Sequence, residues 1–447
     1  MRRPAAGGAR RPAVLAPTAL VLAALVLAAA PAAAQAPTPR VTRSTLPNGL
    51  TVLVRENPVA PVVAASLMLK MGTRWETREV AGISNLLQLL VVRGTTTLNG
   101  LEIVQTADRI GGSIEATADA DHAEIAATAL ARHWTEMLEL VADVALRCTL
   151  PEGTLVAVRD FLVTQIRNRG DKPFDVAYDT LVARVFGDHP YAWDAIGLRE
   201  SLPRLDRQAL IDHYRRHYVP GAMVLGVSGQ VKTAEVLALV AKLFGGLPPG
   251  PVPAARVATP PAAAVAREVI RVPGAQAQIM MGGLAPALTD PDYPAVKVLA
   301  SLLGGGMASR FFSELRDKQG LAYTTTTRYP PRVERSALVS LIGTAPENVD
   351  RAEAELRSEL GRIQREPPSA EELRVAQAYL LGQLEMDRRT NARQAWYLAS
   401  YEQAGVGHEF LERYRRSVRA VTAADVQRAA RRYLAVLRTV IVAPPGR

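Results

Sequence analysis

Two histidines one helical turn apart are the first side chains in this sequence that are spaced for chemistry. His213 and His217 lie in the run His-Tyr-Arg-Arg-His, and imidazoles at positions i and i+4 project from one helix face, where they can hold a metal ion. No acidic residue lies between them, and the two arginines that do would repel a cation. The other four histidines are isolated in the sequence. We therefore expect a solvated or structural role for this pair.

Three consecutive glycines, Gly304, Gly305 and Gly306, form the second segment with chemical potential. Glycine-rich loops that cradle phosphate groups lie between a strand and a helix and end in Gly-Lys-Ser or Gly-Lys-Thr. Here the glycines fall between two predicted helices, and no such ending follows. The segment is therefore not expected to bind phosphate, and a break between two helices is the simplest interpretation.

Short apolar runs alternate with amphipathic segments from residue 40 onward, and the same order of elements appears twice. This predicts an α+β fold with two homologous α/β-sandwich halves of about 200 residues each, in which helices cover an antiparallel sheet. An Ala/Pro-rich run, semi-rigid and solvated, joins the halves. The expected domains are an export segment at 1–36, an N-terminal half at 37–246, a linker at 247–266 and a C-terminal half at 267–447. Strands are predicted at 51–54, 61–71, 113–130 (a pair), 223–228, 268–272, 277–283, 322–328, 336–344 and 438–442, and helices at 80–92, 133–146, 153–167, 175–186, 206–218, 293–303, 309–318, 349–365, 370–390, 391–403 and 423–433.

The first 36 residues have the pattern of a secretory signal. Four arginines precede an almost continuous run of Ala, Leu and Val at 14–30, and small residues follow, with cleavage expected near Ala34 or Ala36. The apolar run approaches the ~20 residues that span a bilayer, so an uncleaved anchor is the alternative. Cleavage would leave no stable membrane anchor. The pattern predicts export, and a bacterial periplasm fits best.

Composition and charge narrow the function classes further. Of the 447 residues, 48% are hydrophobic and 21% are charged, which is typical of a globular protein. The net charge is +10, but four positive charges lie in the export segment and the others form no basic block, so nucleic-acid binding is not expected. Cys148 is the only cysteine, which excludes an intramolecular disulfide and a cysteine-rich metal site.

Several landmarks in this order resemble those of the pitrilysin/insulinase peptidases, a family that includes the mitochondrial processing peptidases. The similarity extends over roughly 40–443, nearly the whole mature chain, and several ordered landmarks are more specific than any single motif. They are Ala-Gly-Ile-Ser-Asn-Leu-Leu-Gln-Leu with Arg-Gly-Thr at 81–95, Gly-Gly-Ser-Ile-Glu-Ala at 111–116, Gly-Asp-His-Pro-Tyr at 187–191 with Gly197 and Glu200, Gly-Gly-Gly-Met-Ala-Ser-Arg at 304–310, and Leu-Ala-Tyr at 321–323.

The zinc helix of this family carries His-x-x-Glu-His, in which two imidazoles bind the metal and the glutamate is the general base. Asn85, Gln88 and Leu89 occupy these positions here, and the glutamate that is the third ligand best matches Gln165. A second acidic position, seven residues earlier, falls on Val158. An amide is a poor zinc ligand, and leucine offers no lone pair. No His-x-x-Glu-His or His-Glu-x-x-His occurs elsewhere, so the resemblance implies that this chain holds no zinc and no other cofactor.

The resemblance also identifies a feature that the second half retains. Arg316 and Tyr323, seven residues apart, match an Arg/Tyr pair that faces the zinc across the cavity in the family; the arginine holds the substrate backbone and the tyrosine hydroxyl stabilises the developing oxyanion. Without the family, Arg316 would be interpreted as a surface helix residue and Tyr323 as a strand core residue. The family likewise implies that Gly304–Gly306 is a flexible loop near the substrate, with a helix break as the alternative.

These residues lead to two functional expectations. The first is an exported, metal-free subunit of a heterodimer or larger assembly, which completes the site of a homologous His-x-x-Glu-His partner that binds the zinc. Peptide or an unfolded protein segment would lie as an added strand along a sheet edge, where Glu115 replaces an asparagine that is frequent in the family. The alternative is a non-catalytic periplasmic scaffold that holds unfolded segments. A self-sufficient metallopeptidase contradicts the residues at the zinc positions.

Overall fold

The computed structural model describes residues 40–256, 258–262 and 264–445, so the predicted export segment at 1–36 lies outside the described residues. From Val41 onward the chain forms a single compact unit. Within the described residues, this unit contains two β-sheets with helices packed against them. No helix among these residues is both long enough and apolar enough to cross a membrane.

The N-terminal half contributes six strands and seven α-helices among the described residues. The strands are β1 (Val41–Thr45), β2 (Thr51–Glu56), β3 (Val62–Leu69), β4 (Ser113–Ala118), β5 (Ala123–Leu130) and β6 (Met223–Gly229). The helices are α1 (Ile83–Val91), α2 (Gly100–Arg109), α3 (Trp134–Arg147), α4 (Glu152–Gly170), α5 (Pro173–Phe186), α6 (Arg207–His217) and α7 (Thr233–Phe244).

The C-terminal half contributes five strands, six α-helices and one π-helix among the described residues. The strands are β7 (Ala266–Arg271), β8 (Ala277–Ala285), β9 (Thr324–Arg328), β10 (Ser336–Thr344) and β11 (Arg438–Ala443). The helices are α8 (Tyr293–Gly304), the π-helix (Phe311–Lys318), α9 (Val349–Arg365), α10 (Ala370–Asp387), α11 (Asn391–Gln403), α12 (Phe410–Ala420) and α13 (Ala423–Tyr433).

The two sheets repeat one topology. The first has the strand order β1-β2-β6-β3-β5-β4, and the second has the order β7-β11-β8-β10-β9. In each sheet the last strand of the half pairs in parallel with an early strand, as β6 does with β2 and β11 with β7, while the remaining neighbours are antiparallel. The predicted α+β fold with two homologous halves is confirmed, with one parallel pair in each sheet and β1 as an additional edge strand.

The burial of the strands explains why the sheets need helices on both faces. In β5, buried and half-buried residues alternate, as expected for a strand near the edge with one face on the core. In β10 every residue is buried, so both faces of that strand are covered. A strand covered on both faces has a nearly continuous run of apolar and small residues, and Ser-Ala-Leu-Val-Ser-Leu-Ile-Gly-Thr at 336–344 fits this pattern.

One helix from each half packs on the sheet of the other half. Helix α5 of the N-terminal half packs on β8 and β11, and α11 of the C-terminal half packs on β3 and β6. The contact with α11 is close, because a Cβ at Gly226 would overlap the carbonyl oxygen of Ala395 and lie 3.2 Å from Ala399 Cβ. Asn391 at the start of α11 donates a 2.8 Å hydrogen bond to the carbonyl of Val62. This exchange of helices ties the two halves into one unit.

A cluster of charged side chains also joins the halves. Arg74 bonds through Nε to Glu334 at 3.0 Å and lies 3.5 Å from Asp121. His189 Nε2 lies 2.8 Å from the same Glu334, and the Tyr191 hydroxyl donates to Asp121. The His-Pro-Tyr landmark therefore belongs to an ion-paired contact between the halves, and His189 has a structural role in it.

The Ala/Pro-rich linker lies against the N-terminal half at two points. The Trp75 indole donates to the Pro253 carbonyl at 3.1 Å, and the Arg256 backbone N–H donates to Arg74 at 2.8 Å. The linker is therefore tied to the N-terminal half at these two points, although Pro253 is only half-buried and Arg256 is exposed. The described part of 246–265 forms no helix or strand.

Candidate functional site

Helix α1 carries the three positions that the sequence resemblance matches to a zinc motif, and a buried carboxylate holds its first turn. Glu76 accepts the backbone N–H groups of Gly82 at 2.9 Å and Ser84 at 3.0 Å. These donors belong to the first turn, which has no partners inside the helix. Burial raises the pKa of Glu76, although both hydrogen bonds oppose that shift. Glu76 therefore caps the helix, and its oxygens are already engaged there.

The three zinc-motif positions on α1 have different environments. Gln88 is fully buried, and its Nε2 donates to the Tyr218 hydroxyl at 2.8 Å, while its Oε1 has no partner among the described residues. Asn85 and Leu89 are half-buried, and Leu89 packs against the core of the N-terminal half. One amide oxygen, one further amide and an alkyl group do not form a zinc site, because structural and catalytic zinc sites use at least three good donors.

Helix α4 carries the position of the third ligand and packs against α1. Gln165 is exposed on this helix, and Val158 packs against the core. The fold thus brings the helices of a zinc site together while the side chains do not suit the metal. Across the described residues, no group of three or more His, Cys, Asp and Glu side chains is arranged to hold a metal ion.

The histidine pair lies behind α1, in the interior. His213 Nε2 lies 3.0 Å from the Ser84 hydroxyl, and His217 Nδ1 donates to the Lys70 carbonyl at 2.6 Å. The two rings are 4.3 Å apart between centroids, and both side chains are buried. Burial lowers the pKa of both imidazoles, that of His217 to about 4, so the pair is neutral at pH 7. Of the two expected roles, the structure supports the structural one and excludes the solvated one.

Arg316 and Tyr323 project into solvent from neighbouring elements. Arg316 is exposed on the π-helix, and its guanidinium carbon lies 4.8 Å from the centroid of the Phe312 ring. Tyr323 is 55% exposed, while its backbone N–H donates to the Gly343 carbonyl at 2.9 Å, directly before β9. Neither side chain makes a hydrogen bond to another described residue. The interpretation of Tyr323 as a strand core residue is therefore wrong.

The turn between the π-helix and β9 holds these two residues close in the fold. The Gly320 N–H donates to the Arg316 carbonyl at 3.0 Å, and the Leu321 N–H donates to the Leu315 carbonyl at 2.9 Å. Leu315 and Leu321 are buried, so they anchor the turn while its polar side chains remain outside. This arrangement presents a guanidinium and a phenol on one short segment that two backbone hydrogen bonds and two buried leucines anchor.

The three glycines permit close packing at the end of α8. A Cβ on Gly304 would overlap the backbone nitrogen of Thr327 in β9, one on Gly305 would lie 2.6 Å from the Ser301 carbonyl oxygen, and one on Gly306 would lie 2.9 Å from the Tyr379 ring. The segment therefore breaks α8 against β9 and α10. It lies beside the same strand that follows Tyr323.

Each sheet has two edge strands among the described residues, β1 and β4 in the first sheet and β7 and β9 in the second. Helix α1 packs beside β4, where Glu115 is exposed and lies opposite Ala126 of β5. An edge strand offers backbone N–H and C=O groups to an extended peptide.

Two features of the structure were missed at the sequence level. One is the ion-paired cluster around Arg74, whose members are separated by up to 260 positions in the chain. The other is a cavity around Lys297, lined by tyrosines from several helices. The spacing of Trp396, Tyr397 and Tyr401 on one helix was the available signal for the cavity.

Comparisons with known proteins are consistent with this two-half fold. The model of the insulinase family (peptidase family M16) matches residues 51–196, and that of the peptidase M16 inactive domain matches residues 204–380. An uncharacterized zinc protease of Mycobacterium bovis is 30% identical over 415 residues, covering 90% of this chain and 92% of the relative. One of Mycobacterium leprae is 32% identical over 293 residues, 64% of each chain.

Solved structures share the fold. A peptidase M16 inactive domain from Pseudomonas fluorescens superposes with a TM-score of 0.84 at 23% identity, covering 91% of this chain and 99% of that chain. A protease from Helicobacter pylori gives a TM-score of 0.84 at 22% identity, covering 91% and 100%. The two family models and the relative of Mycobacterium bovis show that the chain belongs to the insulinase family of peptidases, peptidase family M16.

Proposed function

We propose that this chain is the zinc-deficient subunit of a two-chain zinc peptidase. It binds peptide and completes the site of a homologous partner that carries His-x-x-Glu-His and holds the zinc. One contrast carries the proposal: the zinc positions hold Asn85, Gln88, Leu89 and Gln165, whereas Arg316 and Tyr323 project into solvent without partners among the described residues.

The chemistry of the two retained side chains suits a shared site. The guanidinium of Arg316 can hold peptide carbonyl oxygens, because its fork presents several N–H donors in a fixed plane. The Tyr323 hydroxyl can donate to the oxyanion that forms when the scissile carbonyl is attacked. Peptide would lie as an added strand along a sheet edge, and Gly304–Gly306, which pack beside β9, would lie near it.

We further propose that the mature chain acts in the periplasm after removal of residues 1–36. The basic, apolar and small-residue regions of that segment support this location. N-terminal sequencing of the protein from the periplasmic fraction tests it. A mature terminus near residue 35 or 37 is expected, and an intact N-terminus in the membrane fraction would contradict it.

Steady-state peptide cleavage by the co-expressed pair tests the shared site, with the partner taken from a neighbouring reading frame that encodes His-x-x-Glu-His. Tyr323→Phe is expected to lower kcat by ~10²–10³, the typical cost of one lost oxyanion donor, while assembly and zinc content stay constant. Arg316→Ala is expected to act chiefly on KM, because it removes a positioning contact. Tyr178→Phe is the matched control, since this half-buried tyrosine donates no hydrogen bond to a described residue.

The outcomes separate the two functional classes. A scaffold that only holds unfolded segments would tolerate Tyr323→Phe, so unchanged turnover would refute the shared site and favour the scaffold. If Tyr323 acted through stability alone, turnover and melting temperature would fall together. A loss of turnover at constant melting temperature supports the proposal.

A further inference from the structure

A cavity of about 500 Å³ lies apart from Arg316, Tyr323 and the zinc-motif positions. Helices α8, α10, α11 and α12 of the C-terminal half form most of its wall, and the turn between β4 and β5 closes it from the N-terminal half. Such a volume lies within the range of small-molecule sites. The lining residues that bear on ligand binding are Lys297, Trp396 and three tyrosines, Tyr293, Tyr401 and Tyr414.

Lys297 presents a cation without a counter-ion at this cavity. Its Nζ donates to the Tyr329 carbonyl at 2.7 Å and lies 5.5 Å and 5.1 Å from the ring centroids of Tyr293 and Tyr329. Among the described residues, no carboxylate lies within ion-pair distance of it. Removal from bulk water lowers the pKa of this ammonium to about 8, so it remains mostly charged at pH 7. Two of its three N–H donors are left for another acceptor.

The other charges of the cavity wall are paired. Arg393 bonds to Asp387 at 2.7 Å and lies over the Trp396 ring, 4.2 Å from its centroid. Arg332 bonds to Asp119 at 3.1 Å. His122 packs edge-on against Trp396, and burial lowers its pKa, so it adds no charge at pH 7. Lys297 is therefore the charge that a ligand must neutralise.

Phenol groups supply further donors. The rings of Tyr293 and Tyr414 are 5.6 Å apart between centroids, and both line the cavity together with Tyr401. The hydroxyls of these three tyrosines make no hydrogen bond to a described residue. Phenols can donate to an anionic oxygen, and their rings offer faces and edges to a planar apolar group.

We propose that this cavity binds a small aromatic carboxylate, whose carboxylate meets Lys297 and the tyrosine hydroxyls and whose ring packs among Trp396 and the tyrosines. A cationic ligand of the kind held by aromatic cages is disfavoured, because Lys297 would repel it. A phosphate dianion is also disfavoured, since a single ammonium would leave one of its charges uncompensated. The cavity is lined by both halves, so an occupant would stabilise their contact by mass action.

Calorimetric titration of the mature chain with indole-3-acetate at pH 7 tests the proposal, and indole-3-acetamide is the uncharged isostere. Saturable one-to-one binding of the acid is expected at about millimolar concentration, the range for a probe of this size. Loss of the ammonium–carboxylate bond is expected to weaken binding by at least ~10-fold, both for the amide and in Lys297→Met. Lys242→Met, at an exposed lysine on α7, is expected to leave binding unchanged.

A charge-retaining variant and the thermal stability of the wild type provide two further tests of the proposed carboxylate contact. Lys297→Arg retains the positive charge and should therefore keep the preference for the acid over the amide. If Lys297 had only a structural role, the protein would show no such preference. The acid should also raise the melting temperature of the wild type more than the amide does. Equal binding of acid and amide, no saturable binding of the acid, or binding that is unaffected by Lys297→Met would overturn the proposal. If Lys297→Met does not fold, the comparison of acid and amide on the wild type decides.

Discussion

Replacing Gly226 tests whether the exchanged helix holds the two halves together. Gly226→Ala places a Cβ in steric overlap with the Ala395 carbonyl oxygen, so α11 must retreat by about 1 Å to restore a normal contact. Both ends of α11 resist this movement. Asn391 donates to the backbone of β3 at 2.8 Å, and Gln403 donates to the Ala222 carbonyl at 3.1 Å. The helix therefore cannot tilt away without loss of other bonds.

The energetic cost follows from the contacts that such a retreat would loosen. Leu398 and Ala399 of α11 pack against Leu53 and Met68 of the first sheet, and a gap of 0.5–1 Å forfeits roughly a quarter to a half of each dispersion contact. The steric overlap and the weakened dispersion contacts together are expected to lower the free energy of unfolding of Gly226→Ala by about 3 kcal/mol.

Urea denaturation provides the measurement, with the midpoint and the slope m followed together. The matched control is Gly382→Ala, in the interior of α10, where a Cβ would meet nothing within 4 Å and helix propensity predicts a gain of about 1 kcal/mol. The reasoning is refuted if Gly226→Ala unfolds within about 0.5 kcal/mol of the wild type, the range of an ordinary surface substitution.

Three other predictions concern the N-terminal half. The mature chain purified alone is expected to hold no stoichiometric zinc by elemental analysis, and about one tightly bound zinc per chain would contradict this, because such affinity needs at least three good donors. The pKa of His217 is about 4 in the folded chain and about 6.5 in the unfolded chain, so between these pH values only the unfolded chain binds a proton at this imidazole. The free energy of unfolding is therefore expected to fall by about 3 kcal/mol as the pH is lowered from 6.5 to 4. Urea melts across this range should show a shallower loss in His217→Gln, and equal losses would contradict the assignment. Tyr218→Phe leaves the buried Gln88 Nε2 unpaired and should cost about 1–3 kcal/mol, much of which Tyr218→Phe with Gln88→Leu should recover; additive losses in thermal melts would argue against the hydrogen bond.

Most of the fold was predictable because periodicity and burial are local properties. Helices α9, α11 and α13 and strand β10 begin and end at the predicted residues. Helices α2, α7 and α12 and strand β1 were missed. Helix α12 is rich in arginine, but Leu411, Tyr414 and Val418 are buried at helical spacing, so its signal was present. The exchange of α5 and α11 between the halves was not predictable, because it depends on shape complementarity between residues far apart in the chain.

In the candidate site, too, features that are continuous in sequence were predictable, and features that depend on distant residues were not. The landmarks identified α1, α4 and the segment from Arg316 to Tyr323, since each motif is continuous in sequence. The exposure of Tyr323 did not follow from the local pattern, because an aromatic residue beside a strand is buried or exposed according to which face the sheet turns to the core; only the family resemblance implied it. The close packing of Gly304 against β9 likewise depends on a strand that follows 20 positions later.

The zinc-motif position Gln88 is buried, whereas Arg316 and Tyr323 are exposed, and this difference in burial determines which side chains the fold tolerates at each position. Gln88 is enclosed in the core, where a carboxylate without a metal or a cation would carry a large desolvation cost, and a neutral amide bonded to Tyr218 avoids it. Arg316 and Tyr323 are solvated, so the fold neither needs nor penalises them. Neither side chain makes a hydrogen bond to another described residue, so both groups are available for the peptide contacts that the proposed shared site requires.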